Sequence, residues 1–266
     1  MHWYTGNSCY DTVLTAAFAF AAFVIVGGFF GRSSYGRFSS AKFGFNLNPK
    51  FGWWLMEIPA TVVFLIAYLT GPARFEPTSL VLAGIWALHY ANRGWFFPLA
   101  IRQVPGKRGT FNISVVVLGM LVTTMHGYLN GALFSHDYLG QYGTDWLTNP
   151  RFLVGLAIYL CGFVLLVRSE SIVRNLRAKD NPGGPGVAEY RIPVGGGFRF
   201  VTSPAYLGEL IAWSGFAVLT WALPGVVILL ITAGNLIPRA LDTHRWYREK
   251  FTDYPADRKA LVPFLL

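Results

Sequence analysis

Polar and ionisable side chains interrupt several strongly apolar stretches of this sequence, and they are the first candidates for chemistry. Glu57 lies in the stretch WWLMEIPA, one helical turn after Trp53. Four polar groups fall within five positions of a second stretch, ahead of the apolar segment WFFPLAI: His89, Tyr90, Asn92 and Arg93. Such groups are costly at membrane depth and usually face a cavity. We therefore predict a polar cavity wall, although Glu57 alone also fits an acid at the membrane interface.

His126 and Asn130 form a third polar pair inside an apolar stretch. They are four residues apart, so a helix would place them on one face. The pair fits either the wall of the same cavity or hydrogen bonds between neighbouring helices.

A more basic set of residues follows two of the later apolar stretches. Glu170, Arg174 and Arg177 have the spacing of one helical face, and the final stretch runs through Pro238 into the polar sequence RALDTHRWYREKF. That sequence supplies Arg239, His244, Arg245 and Tyr247. Arginine binds phosphates through paired donors, and tyrosine offers a face to a flat ring. The set favours a nucleotide cofactor, whereas the scattered histidines argue against a metal site. Any single member also fits ordinary anchoring of a membrane helix by basic residues.

Composition indicates the class of protein that must position these groups. Of 266 residues, 53% are hydrophobic and 13% are charged, about half the charged share of a soluble domain. These values exclude a disordered chain and argue against a water-soluble enzyme. Two cysteines can form at most one intramolecular disulfide, which is too few to stabilise a chain of this length, so a disulfide-stabilised scaffold is excluded as well.

Seven apolar stretches are long enough to cross a membrane as helices. They comprise residues 12–30, 53–69, 79–101, 111–134, 152–167, 206–223 and a last stretch that opens at residue 224. The first is not a cleaved signal peptide, because no basic residue precedes it and its apolar core is too long. We predict an all-α integral membrane protein with seven transmembrane helices, forming one polytopic domain over residues 1–266.

Loop charges predict the orientation of these helices. Basic residues accumulate in the first connection, after the third span, after residue 167 and after residue 238, whereas the connections between them lack a basic excess. Because basic loops stay in the cytoplasm, the N-terminus is expected outside and the C-terminus in the cytoplasm. The net charge of +9 is thus explained by topology, and we expect no nucleic-acid partner.

Several motifs in a fixed order resemble the steroid 5α-reductase family. In the C-terminal third they are YRIP (190–193) with two glycines, SPAYLGELIAW (203–213), RALDTHRWYREKF (239–251) and DYPADRKALVPFLL (253–266). Upstream they are WWLMEIP (53–59), LHYANR (88–93), HGYLNG (126–131) and RSESIVRNLR (168–177). The resemblance covers most of the chain from Trp53 onward.

The resemblance implies a membrane enzyme that uses NADPH to saturate the C4–C5 double bond of a 3-oxo-Δ4-steroid, with hydride delivered to C5. Glu57 and Tyr90 would contact the 3-oxo group, with Trp53, Met56 and Arg93 in the substrate pocket. We expect the substrate cavity mainly within residues 12–135 and the NADPH side mainly within residues 166–266. The cofactor residues carried over are Glu170, Arg174, Arg177, Tyr190, Arg191, Glu209, Arg239, His244, Arg245 and Tyr247.

The residue types agree with this chemistry. Conjugate reduction builds negative charge on the carbonyl oxygen, and donors aimed at that oxygen stabilise the transition state. Tyr90 can donate as it stands, whereas Glu57 donates only when protonated, a state that burial favours. A membrane cavity also suits a steroid, which can enter laterally from lipid.

This chain departs from the family pattern at several positions. Met56 replaces a glutamine, Leu166 and Ala205 replace amide residues, and Thr243 replaces a histidine. Glu170 stands in place of aspartate, His126 where asparagine is common and Asn130 where glutamine is common. We therefore expect the same chemistry with a different substrate preference, and a bacterial inner membrane in preference to the endoplasmic reticulum.

Three alternative functions fit parts of the same pattern. Relatives in the family reduce polyprenols or enoyl-CoA lipids, but the YRIP and KALVPF segments favour the steroid branch. Isoprenylcysteine-type methyltransferases share a helical membrane core and a C-terminal nucleotide site, yet methyl transfer does not need the donors Glu57 and Tyr90. A transporter or receptor is disfavoured because no internal repeat is evident and cofactor-like residues continue past Pro238.

Overall fold

Long helices make up most of the protein in the computed structural model, which describes residues 4–31, 44–102, 111–176 and 190–266. The elements in chain order are α1 (Ser8–Phe30), β1 (Asn46–Leu47), α2 (Pro49–Thr70), α3 (Pro77–Tyr90), a π-helical turn (Ala91–Phe96), α4 (Phe97–Ala100), β2 (Phe111–Asn112), α5 (Ile113–His136), a 3-10 turn (Thr144–Thr148), α6 (Pro150–Leu176), a second 3-10 turn (Gly196–Arg199), α7 (Pro204–Thr220) and α8 (Leu223–Lys250). Strands β1 and β2 form a short antiparallel pair that joins the starts of α2 and α5.

The starts of the long helices follow from local side-chain chemistry. Asn7, Asn48 and Asn112 precede α1, α2 and α5, and each side chain accepts a hydrogen bond from a backbone N–H of the first turn. These N–H groups have no partner within the helix, so a capping amide stabilises the start. Proline occupies the first turn of α7 and of α8, where its missing N–H costs nothing.

Glycine allows the helices to pack in close pairs. Gly155 and Gly162 of α6 face Gly208 and Gly215 of α7, and a Cβ atom at any of them would come within 2.3–2.5 Å of the backbone nitrogen of the opposite helix. A Cβ atom at Gly131 of α5 would lie 2.5 Å from a carbonyl oxygen of α2. Small residues let membrane helices approach closely, because packing replaces the hydrophobic effect as the source of their association.

Five helices in the described part of the chain are long and apolar enough to cross a membrane: α1, α2, α5, α6 and α8. They correspond to five of the seven predicted spans, and the all-α membrane character is confirmed. Helix α7 has only 17 residues, and a π-helical turn divides the predicted third span. The count of seven spans and their orientation therefore stay predictions, and several of the basic residues that motivate them lie outside the described residues.

The predicted third span is helical throughout, but it is not a regular α-helix. Helix α3 ends at Tyr90, and the π-helical turn then carries the polar residues Asn92 and Arg93. A π turn contains one more residue than an α turn, and such turns are frequent at functional sites. The π-helical hydrogen-bond register therefore determines the direction in which Asn92 and Arg93 leave the helix.

Two further segments hold the ends of α7. Gln141 and Tyr142 donate side-chain hydrogen bonds of 3.0 and 2.8 Å to the carbonyl of Thr220, which has no helical partner because α7 ends there. Burial raises the pKa of Tyr142, so its hydroxyl remains a donor. At the other end, the backbone N–H groups of Thr202 and Ser203 donate to carbonyls of the C-terminal tail. The tail thereby positions the segment that leads into α7.

Candidate active site

Arg93 is the centre of a buried ionic cluster that joins three separate elements. Its Nε lies 3.3 Å from Oε1 of Glu57 in α2, and its Nη1 lies 3.1 Å from Oε2 of Glu209 in α7. The guanidinium also sits 4.9 Å from the ring centre of Trp53. Both acids are buried, and the arginine side chain is 18% exposed. The structure thus places Glu57, Arg93 and Glu209 together, although the resemblance assigned them to three different roles.

This cluster has an excess of acidic groups. Two carboxylates share one guanidinium, so the trio has one surplus negative charge when both acids are ionised. Glu170 of α6 lies close by, because Nδ2 of Asn92 donates to its Oε2 at 3.4 Å. A buried surplus charge is unfavourable unless a proton or a cationic group compensates it. The arrangement can therefore hold a proton or face a positively charged ring.

Tyr90 lies beside the ionic cluster, on the last turn of α3. Its ring packs against Trp86, and its hydroxyl is 2.9 Å from Nδ1 of His126 in α5. Gly94 lies between Tyr90 and Glu57: a Cβ atom there would be 3.6 Å from Cβ of Glu57 and 3.9 Å from Cδ1 of Tyr90. Cβ of Glu57 and the ring edge of Tyr90 therefore both border the methyl-sized space beside Gly94.

The rings of Trp86 and Trp213 pack against the histidines near this space, His89 and His126. Neither tryptophan was a candidate site residue in the sequence analysis. The ring of Trp213 is 4.2 Å from that of His89 and 5.2 Å from that of His126, and Trp86 is 4.5 Å from His126. Trp213 follows Glu209 by four residues on α7 and so lies on the same face. This spacing of four residues could have predicted from the sequence that Trp213 lies near the site. The position of Trp86, by contrast, depends on the packing of α3 against α5.

A small apolar cavity adjoins His126 between α1, α5 and α8. Apart from this histidine, its lining consists of apolar residues: Ala17, Val122, Met125, Leu129, Pro224, Val227, Ile228 and Ile231. Residues from both halves of the chain line this cavity. The location of the substrate cavity mainly within residues 12–135 stays a prediction.

Met56 does not contribute a polar group to the site. It is buried against the start of α5, where Gly119 leaves room for its side chain, and it packs with Phe111 and Val116. Its backbone carbonyl accepts a hydrogen bond of 2.8 Å from Thr123. The residue therefore fills space between α2 and α5 beside the acid that follows it.

Apart from Glu209 in α7, the predicted cofactor residues that the structure describes lie in the C-terminal halves of α6 and α8 and in the segment before α7. Arg174 lies 5.2 Å from the ring centre of Phe96 in the π-helical turn. Arg239 is buried, and its Nε donates to the hydroxyl of Tyr206 in the first turn of α7 at 2.9 Å. Arg174 thus packs on the π-helical turn, and Arg239 packs on the first turn of α7. Arg177 lies outside the described residues.

The segment that carries Tyr190 and the half-buried Arg191 lies along the end of α8. The ring of Tyr190 is 5.0 Å from that of Trp246, and the Nζ of Lys250 lies over both rings at 5.1 Å. His244 approaches Oγ1 of Thr202 to 2.6 Å through its Nδ1. Half-buried rings and basic groups therefore lie together at this end of the protein.

Two further predicted cofactor residues, Arg245 and Tyr247, lie in different surroundings from each other. Arg245 has a side chain that is 58% exposed and pairs with Asp242 one turn earlier, at 3.3 Å. Tyr247 is buried, and its ring stacks against Phe251 and Tyr254. Their roles in cofactor binding stay predictions.

The donor set at this end fits a phosphate-bearing nucleotide. Ser203, at the start of α7, is buried, and its Oγ has no hydrogen-bond partner among the described residues. The first N–H groups of a helix attract anions, and Arg239 reaches the same first turn through Tyr206. An unsatisfied hydroxyl, a helix N-terminus and arginines are groups that phosphate oxygens satisfy.

Comparisons with known proteins agree on one family. A family sequence profile described as 3-oxo-5-alpha-steroid 4-dehydrogenase matches residues 109–266. The chain is 41% identical to a 3-oxo-5-alpha-steroid 4-dehydrogenase 1 from Mus musculus over 93% of this chain and 92% of that protein. It is 35% identical to a steroid 5-alpha-reductase from Gossypium hirsutum over 89% and 90%. It is 33% identical to a 3-oxo-5-alpha-steroid 4-dehydrogenase 1 from Homo sapiens over 88% and 86%.

Proposed function

The chain belongs to the 3-oxo-5-alpha-steroid 4-dehydrogenase family, and we propose that it reduces the C4–C5 double bond of 3-oxo-Δ4-steroids to 5α-steroids with NADPH. The observation that supports this most directly is the approach of Glu57 and Tyr90 to one space beside Gly94. A tyrosine hydroxyl and a protonated carboxyl group are donors that suit a carbonyl oxygen that becomes negatively charged. The names of the relatives supply the substrate class.

In the proposed mechanism, Tyr90 and Glu57 polarise the 3-oxo group. Hydride addition at C5 shifts electron density through C4 onto the oxygen, where both donors stabilise it, and C4 then takes a proton from water to give the saturated ketone. Glu57 must carry a proton to donate, and a proton on Glu57 leaves the trio with Arg93 and Glu209 electrically neutral. Arg93 holds the acid in place through Oε1, because its guanidinium is bound on the other side by Glu209.

The cofactor half of the proposal relies on the residues at the C-terminal ends of α6 and α8. Arg174 and Arg239, with the start of α7, would bind phosphates, and Tyr190 would contact a flat ring. When bound, NADPH supplies the hydride. The number of arginines favours the additional 2′-phosphate of NADPH over NADH. We assign supporting contacts to Glu170, Arg177, Arg191, Glu209, His244, Arg245 and Tyr247.

We further propose seven membrane crossings, an outward N-terminus and a cytoplasmic C-terminus. The five helices long enough to cross a membrane support most of this topology. A cytoplasmic C-terminus places the cofactor residues where soluble nicotinamides are available. The departures from the family's amide positions favour a bacterial inner membrane over the endoplasmic reticulum.

The proposal is tested by NADPH oxidation with purified protein and three substrates: a 3-oxo-Δ4-steroid, an enoyl-CoA and a polyprenol. We expect turnover with the steroid alone. Glu57→Leu should lower that turnover by about 10²–10³, the effect of one oxyanion donor, and Glu57→Gln by less because an amide also donates. The control is Glu76→Gln, which alters an exposed acid at the start of α3.

Two outcomes would contradict the proposal. Turnover with the enoyl-CoA or the polyprenol but not the steroid would assign another substrate. Wild-type turnover in Glu57→Leu that still binds NADPH would exclude Glu57 from the chemistry.

A further inference from the structure

His126 is the one polar residue of the apolar cavity lining, and it contacts the proposed oxyanion donor directly. Its Nδ1 is 2.9 Å from the hydroxyl oxygen of Tyr90. The side chain is buried, and Trp86 and Trp213 pack against the ring. Its Nε2 has no hydrogen-bond partner among the described residues. Packing thus holds the imidazole in an orientation that gives Tyr90 a fixed neighbour.

The contact between His126 and Tyr90 contains a single hydrogen, and its position decides what Tyr90 can do. A neutral imidazole carries its proton on one nitrogen and accepts at the other. If the proton is on Nε2, then Tyr90 must donate to Nδ1, and its hydrogen is no longer available to a substrate. If the proton is on Nδ1, then His126 donates to the tyrosine oxygen, and the hydroxyl hydrogen of Tyr90 is free.

We propose that His126 is a positioning residue for the reduction, which carries its proton on Nδ1 and directs the hydroxyl hydrogen of Tyr90 toward the carbonyl oxygen of the substrate. The inference depends on the function proposed above. As charge develops on the substrate oxygen, the tyrosine oxygen becomes more negative, and the N–H of His126 stabilises it. Polarised hydrogen bonds in a chain strengthen one another in this way.

The backbone of α5 is held where this role requires it. Nδ2 of Asn130 donates to the carbonyl oxygen of His126 at 2.9 Å, and α5 packs closely on α2, which carries Glu57. Glu57 on α2 and His126, the hydrogen-bond neighbour of Tyr90, on α5 therefore lie on one closely packed helix pair. Replacement of His126 should change the direction of the Tyr90 hydroxyl without disturbing the cofactor residues, which lie on α6, α7, α8 and the segment before α7.

A double-mutant cycle separates positioning from packing. His126→Phe keeps an aromatic ring but removes both nitrogens, and Tyr90→Phe removes the hydroxyl. We expect kcat with a 3-oxo-Δ4-steroid to fall about 10²–10³-fold in Tyr90→Phe and about tenfold in His126→Phe, the scale of one hydrogen bond. In the Tyr90→Phe background, His126→Phe should change kcat less than about twofold, because the residue acts through the hydroxyl.

Three readouts exclude a merely structural effect. NADPH affinity, measured by equilibrium binding, should stay within about twofold of the wild type in all three variants. His126→Asn, which retains an amide donor, should recover part of the lost kcat, and it also serves if His126→Phe does not fold. The matched control is His136→Phe, ten residues further along α5, where the ring stacks on Tyr138 rather than contacting Tyr90; its kcat should match the wild type.

The outcomes distinguish this inference from the proposed function. Equal losses from His126→Phe with and without Tyr90 would show that His126 acts independently, and wild-type kcat in His126→Phe would show that it does not act at all. Either result overturns the inference and leaves the role of Tyr90 intact. Full turnover in Tyr90→Phe, or no steroid reduction by the wild type, would instead refute the proposed function, and the inference would fail with it.

Discussion

Replacement of Arg93 by methionine should destabilise the protein strongly, because it removes the shared partner of two buried acids. The substitution keeps most of the side-chain length but deletes the ion pairs to Glu57 at 3.3 Å and to Glu209 at 3.1 Å. It also deletes the stacking of the guanidinium on Trp53. Removal of one partner from a buried ion pair typically costs about 3–5 kcal/mol, since the remaining charge stays buried without compensation.

The partial exposure of Arg93 places this site at the lower end of that range. With 18% of its side chain exposed, we expect a loss of about 3 kcal/mol in the free energy of unfolding. For a chain of this size, 1 kcal/mol corresponds to about 2–4 °C, so the melting temperature should fall by about 6–12 °C. Adding Glu209→Gln to Arg93→Met should restore part of this loss, because it removes a carboxylate that Arg93→Met leaves without its cationic partner.

Thermal unfolding of purified protein in detergent, followed by tryptophan fluorescence, measures this effect. The control is Arg245→Met, which removes an exposed pair with Asp242 and should cost at most about 1 kcal/mol. A melting temperature in Arg93→Met equal to that of the wild type would refute the ionic cluster. So would a further loss, rather than a recovery, on addition of Glu209→Gln.

Further predictions concern helix packing, the end of α7 and the cofactor. Gly162→Ala should destabilise the protein by more than 1 kcal/mol, because its Cβ would meet the α7 backbone, whereas Gly84→Ala, with open space around it, should be neutral in the same melting assay. Tyr142→Phe should cost about 1 kcal/mol, since it removes the hydrogen bond to the α7 terminus, and an unchanged melting temperature would contradict that role. Arg239→Gln should weaken NADPH binding at least tenfold in equilibrium titrations, and equal use of NADH and NADPH by the wild type would overturn the assignment of the 2′-phosphate.

The elements of this fold were largely predictable because membrane helices are encoded locally. Uncharged apolar stretches predicted α1, α2 and α5 within about four residues of their observed ends, whereas α6 runs nine residues past its predicted end at residue 167. The final stretch, which runs through Pro238 into the polar sequence RALDTHRWYREKF, is helical to Lys250. The π-helical turn was not predictable from the apolar pattern, because it changes the hydrogen-bond register without changing hydropathy.

The candidate site was predictable as a set of residues but not as a set of contacts. Glu57 and Tyr90 are 33 positions apart, and both border Gly94 because the π-helical turn packs on α2. The bond between Arg93 and Glu209 spans 116 positions and depends on how α7 packs, which no local pattern specifies. His126 stood out as a polar residue in an apolar stretch, but its partner Tyr90 became evident only in three dimensions.

The central claim is most directly tested by the fate of a labelled hydrogen. Purified protein would be incubated with a 3-oxo-Δ4-steroid and NADPH that carries deuterium at both C4 positions, and the product would be examined by mass spectrometry and NMR. The proposed function predicts a saturated 5α-ketone with one deuterium at C5 and an intact 3-oxo group. Deuterium on the carbonyl carbon of an alcohol product, or an unlabelled and unreduced steroid, would contradict it.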